Sequence, residues 1–133
     1  MTQKNMFENL TALADHVVAD ERWQDQNDDL GVSVFGMLLY GYALATGRLI
    51  MLLDIEDINT AVTRCLLERV GVAAKWGSGL VEEAAKSAFD QAYHIGNYEL
   101  IEVGHQYMGE AKLDELVGNV FVNIESVRRR TEA

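Results

Sequence analysis

Two carboxylate–imidazole pairs stand at helical spacing in this chain of 133 residues: Asp90 with His94, four apart, and Glu102 with His105, three apart. The second has the Glu-x-x-His spacing of carboxylate-bridged metal bundles, in which both side chains reach inward from one helix. Such a centre needs a second Glu-x-x-His and two further inward glutamates, and the sequence has no second copy. Asp90 and His94 also fall on the polar side of their segment. The four are read as solvent-facing, and neither a metal nor a cofactor is expected. The third histidine, His16, follows Asp15 near the end of the first helical segment, where a cation is favoured by the helix dipole. Cys65, the one cysteine, lies on an apolar stripe, where a thiol is buried and inert. Gly-rich phosphate loops, Gly-x-Ser-x-Gly and Cys-x-x-Cys are all absent, so no enzymatic activity is expected.

What remains is recognition chemistry. The stretch from Asp20 to Asp29 holds Asp20, Glu21, Asp25, Asp28 and Asp29 around Trp23, with Arg22 as its one base. Carboxylates steer a basic partner and speed its arrival, and an exposed aromatic supplies buried area on contact. Asp54, Glu56 and Asp57 make a second acidic patch. These nine residues are the candidate partner-binding set. Trp76 stands in the Gly-rich stretch 72–79 and has the same two readings as Trp23, folded onto the core or left as an anchor.

The elements that position these residues read as helices. Apolar residues recur at three and four from Met6 to Val18, which predicts a helix over roughly 3–19. Residues 20–29 read as an exposed connection, with Asn27 or Asp28 capping the next helix. Residues 30–47 carry no charge at all. That run approaches the about 20 residues of a membrane span, but its three interior glycines and the amphipathic segments around it favour a buried central helix. Asp54 or Asp57 caps the next helix, which Gly71 ends. Residues 72–79 read as a break, with Ser78 capping a helix whose stripe runs from Leu80 to Tyr93. Gly96-Asn97 reads as a sharp boundary, Gly109 as a break or bend after Met108, and Leu113 to Val127 as a last helix closed by Arg128-Arg129-Arg130. No stretch alternates with period two. The expected fold is all-α, a single domain over 1–133 of about six helices, arranged as a bundle or as stacked helical hairpins.

The segment Ala92-Tyr93-His94-Ile95-Gly96-Asn97-Tyr98-Glu99 resembles the turn between the two helices of a tetratricopeptide repeat. The likeness spans only these residues, needs a one-residue deletion, and has no second copy at the family's spacing of about 34. It implies a helical hairpin there.

Formal net charge is −10, and residues 1–63 hold ten acids against three bases. Such a surface repels nucleic-acid phosphates and anionic membranes and attracts basic proteins. The chain has no proline, and its first residues show no basic stretch followed by an apolar one, so no signal peptide is read and a cytoplasmic location is expected. The expected function is therefore a binding module that neutralises a basic partner. In overall character this resembles immunity proteins, which inhibit toxins or effector enzymes, although no motif carries the likeness. The alternatives are a helical-hairpin chaperone or adaptor for a secreted protein, with homodimerisation, and a metal-binding bundle.

Overall fold

The apolar stripe of the first segment folds into helix α1, Gln3–Ala19, in a computed structural model that describes residues 3–107 and 113–132. Six more helices follow: α2 (Trp23–Gln26), α3 (Asp29–Ala45), α4 (Ile55–Cys65), α5 (Ala74–Phe89), α6 (Ile95–His105) and α7 (Leu113–Glu132). No strand occurs among the described residues. The all-α expectation holds, with the short α2 as the element beyond the expected six. Met108 and Gly109 lie outside the described residues.

The uncharged run becomes α3, the axis of the molecule. Asp28 starts it, its carboxylate accepting the Gly31 N–H at 3.0 Å. Asp29–Ile50 is long and apolar enough to cross a membrane, yet 89% of its most apolar stretch is buried inside the fold. One hydrophobic cluster surrounds it, drawing Leu10 and Leu13 from α1, Ile58 and Val62 from α4, Ile101 from α6, and Leu116 and Val120 from α7. Burial of that kind is the main favourable term in folding.

α3 and α6 lie with their backbones in contact. A Cβ on Gly41 would overlap the Ile101 carbonyl, and one on Gly104 would overlap the Leu38 carbonyl. Both positions need glycine because the facing atoms are backbone and cannot rotate away.

α3 and α4 each end in a π-helical turn, Thr46–Ile50 and Leu66–Val70. The two turns close in the same way. The Leu53 N–H reaches the Gly47 carbonyl at 2.8 Å, and the Val72 N–H reaches the Leu66 carbonyl at 3.1 Å. Each closure places one residue at positive φ: Gly71 at 84° after α4, and Leu52 at 56° after α3. Glycine takes that conformation freely, whereas a leucine there is strained by roughly 1–2 kcal/mol. Gly71 ends its helix as expected.

Two boundaries differ from the sequence reading. α5 starts at Ala74 and runs through Trp76, Gly77, Ser78 and Gly79, so Ser78 is no cap. Gly77 is inside the helix because Leu67 packs where its Cβ would be. α5 then stops at Phe89, and α6 begins at Ile95 with the His94 ring as its cap, Nδ1 accepting the Asn97 N–H at 3.0 Å. Gly96 and Asn97 therefore sit in the first turn of α6. The imidazole competes successfully with Asn97 for the capping role because its ring nitrogen reaches three residues ahead.

α7 is tied back to the start of α3. The Arg128 guanidinium donates to both Asp28 oxygens at 2.8 Å and to Gln26 Oε1 at 3.1 Å. This pairing and the Gly31 N–H hold the Asp28 carboxyl at about 2, well below the usual carboxylate range. A carboxylate depressed in the folded state binds fewer protons than in the unfolded chain. Its contribution is therefore complete above about pH 4 and is lost as pH falls through about 2. Asp28 is half-exposed, so the pair contributes up to about 1 kcal/mol. Arg128→Met is expected to lower the melting temperature at pH 7, and the gap to the parent protein should close at pH 2. A gap equal at both pH values would remove the charge from this account.

Candidate partner-binding surface

The acidic segment is folded down rather than free. Trp23 is only 5% exposed and meets Phe35 edge to face, with ring centroids 5.8 Å apart. This corrects its expected role as a surface anchor. Trp23 opens α2 over the first turns of α3, where packing on Phe35 and the core returns more than exposure to water would. Arg22 next to it lies over the Phe121 ring at 4.4 Å and donates to both oxygens of Asp20. Those hydrogen bonds hold the Asp20 carboxyl at about 2. Glu21, Asp25 and Asp29 are exposed. Asp28 is engaged with Arg128 and the first turn of α3, so its charge is largely compensated.

The second acidic patch starts α4. Asp54 caps it, accepting the Asp57 N–H at 2.9 Å, and Glu56 and Asp57 lie in the first turn, where the helix dipole favours negative charge. This patch follows the C-terminal end of α3, whereas Asp28 and Asp29 begin α3. The 17 residues of α3, about 25 Å of helix, and the π turn after it lie between the two patches. The nine candidate residues therefore form two surfaces and not one.

The metal alternative loses its geometry. Asp90 and His94 share no helix, since α5 ends at Phe89 and α6 begins at Ile95, and His94 is occupied as a cap. Among the described residues no group of three or more His, Cys, Asp or Glu converges. Cys65 is buried, and burial in apolar surroundings, with Asp15 adding to it, pushes its thiol up to about 12. At neutral pH essentially none is thiolate, so it cannot act as a nucleophile.

The surface tryptophan is Trp76, 38% exposed on the first turn of α5. It stands between two open hollows. The larger, about 620 Å³, lies between α3 and α5 and is walled by Ser33, Gly79, Leu80 and, at its rim, Lys75 and Glu83. The smaller, about 420 Å³, runs from Trp76 and Ala73 past the closing residues of the α4 π turn, Val70–Val72, to Val32, Asn27 and Asp29. Of the acidic run, then, Asp29 lines the same hollow as the exposed aromatic. Gly79 adds a second observation. It lies mid-helix at a propensity disadvantage of about 1 kcal/mol against alanine, and nothing lies within 4 Å of where its Cβ would be. No packing inside the fold calls for a glycine there. A glycine on the wall of a hollow lets another backbone come close.

No family model, curated protein or solved structure matches this chain.

The surface is thus read from its own chemistry: an aromatic flank, apolar floors from Val32 and Leu80, a bare patch of backbone at Gly79, and a carboxylate at one end. The sequence reading paired the acidic run with Trp23, the tryptophan that the fold buries. Trp76 was visible as a candidate, but the two glycines beside it looked like punctuation. The larger hollow is mostly apolar and the smaller one is mixed, with Asn27 and Asp29 in its lining; apolar recesses with a few polar groups beside them are the kind of surface that takes up a bound group.

Proposed function

We propose that this chain is a protein-binding module that holds a basic segment of a partner across the two hollows beside Trp76 and neutralises it. The observation that carries the reading is the half-exposed Trp76 standing between an apolar hollow and one that Asp29 enters. An apolar side chain of the partner fills the larger hollow over Gly79, and a lysine or arginine takes the smaller one beside Asp29. The net charge of −10 draws such a partner in, and Glu21 and Asp25 extend the field from the same end of the molecule. Neutralisation follows where the captured segment belongs to a cationic substrate site.

The test uses affinity capture from the native host with three versions of the protein. Trp76→Ala removes the aromatic wall, and Gly79→Trp fills the larger hollow from a position that has room for it. The expected result is a basic partner recovered with the parent protein, eluted by salt, and held roughly 30-fold more weakly or worse by either variant. Addition of the parent protein should abolish the partner's activity at equal stoichiometry. A partner that remains active in the complex would make this an escort, the chaperone or adaptor reading. A partner held equally well by all three versions would remove the Trp76 surface from the proposal.

A further inference from the structure

A second surface lies at the other end of α3. Leu49 is 59% exposed, Ile50 42% and Leu52 83%, all in the π turn of α3 or just after it. Arg48 in the same turn reaches over the ring of Phe89, the last residue of α5, at 5.8 Å, and Phe89 is 55% exposed. The two segments therefore make one apolar face with a cation in it. Contiguous exposed apolar area of this kind marks an interaction surface.

Leu52 sharpens the point. The same helix ending occurs twice in this chain, and after α4 the positive-φ position is a glycine. After α3 it is a leucine, strained and almost wholly in water. Neither the backbone nor the core gains from that side chain, so its use lies outside the chain.

The charges around the face select the occupant. Arg48 sits within it, the exposed Asp90 follows Phe89 directly in sequence, and the exposed Asp54 follows Leu52 by two residues. A face with an apolar centre, a cation and flanking carboxylates is complementary to itself. In a twofold contact residue i meets j and j meets i, so Arg48 of each copy can meet a carboxylate of the other. A basic partner would find Arg48 in its way, and a lipid surface would find the two carboxylates. We propose that Leu49, Ile50, Leu52 and Phe89 form a twofold contact between two copies of this chain.

Sedimentation velocity from about 1 to 100 µM tests it, the range in which a modest dimer contact is populated. The variants are Leu52→Gly, which leaves the backbone in a conformation glycine adopts freely, and Arg48→Glu, which sets like charges across the contact. The parent protein is expected to dimerise across this range. Leu52→Gly should raise the dimer dissociation constant at least tenfold, by loss of a buried leucine from each copy, with no fall in melting temperature when both proteins are compared at a dilution where they are monomeric, and Arg48→Glu should weaken it too. High salt should leave the parent dimer in place, because apolar burial is not screened, while it releases the basic partner; the two surfaces thus fail or succeed separately. A parent protein that stays monomeric, or a dimer indifferent to Leu52→Gly, would overturn the proposal. So would a monomer that floats with phosphatidylcholine vesicles, which would assign the face to lipid.

Discussion

Gly104→Ala and Gly41→Ala are each expected to destabilise the protein by about 3 kcal/mol or more, the upper end of what overpacking a core costs. The added methyl would collide with a carbonyl of the facing helix, Leu38 or Ile101. Backbone atoms have no rotamer to change, so α3 and α6 must separate along their whole contact, and the side chains packed beside it lose van der Waals neighbours. Alanine's better helix propensity, worth about 1 kcal/mol, opposes this loss without matching it. The same substitution at Gly79 and Gly118, where nothing lies within 4 Å of the new atom, should instead stabilise by up to about 1 kcal/mol each. Urea unfolding of the four variants checks the sign as well as the size. An unchanged or raised midpoint for Gly41→Ala and Gly104→Ala would show that the helix contact is not set by these two glycines.

Trp23→Ala is expected to cost roughly 3–5 kcal/mol, the range for deleting a buried aromatic, against a total stability of about 5–15 kcal/mol for a domain of this kind. The indole is 5% exposed and is the piece of α2 that enters the core. Its loss also loosens the segment that carries Arg22 over Phe121 and Asp28 against Arg128. Trp76→Ala is expected to cost clearly less than Trp23→Ala, since 38% of that residue is exposed and less apolar area returns to water. Denaturant midpoints of the two variants separate the roles. Equal losses would mean that Trp76 is a structural residue and that the hollows beside it are incidental.

Much of this architecture is written in local signals. The stripe from Met6 to Val17 places α1, Asp28 and Asp54 cap where short acidic residues before an apolar run should cap, and Gly71 ends a helix at positive φ. The uncharged run reads correctly as a central helix. What local pattern does not carry are the features decided by a distant neighbour. Gly77 looks like a break until Leu67 is seen to occupy its missing side chain. His94 looks like a polar helix face or a ligand, and becomes a cap because α5 stops at Phe89. The two π turns add a residue to a helix end without any mark in the hydrophobic period.

The candidate surface was legible only in part for the same reason. Acidity and the presence of two tryptophans in charged or Gly-rich stretches are properties of composition. Which tryptophan faces water depends on what α3 needs to cover its first turns, and that is settled by Phe35 for Trp23. Likewise Asp54, Glu56 and Asp57 look equivalent to the first patch until the length of α3 sets them at the far end.

The different settings of the two indoles give the molecule a pair of built-in optical reporters. Trp23, sealed against Phe35, emits from an apolar environment and is out of reach of a quencher dissolved in water. Trp76 emits from a wet one and is open to collision. Covering the hollows would shield the second without touching the first, and unfolding would expose both. Quenching of intrinsic fluorescence by an uncharged quencher such as acrylamide thus distinguishes an occupied protein from an empty one and a folded chain from an unfolded one, in one cuvette and without a label.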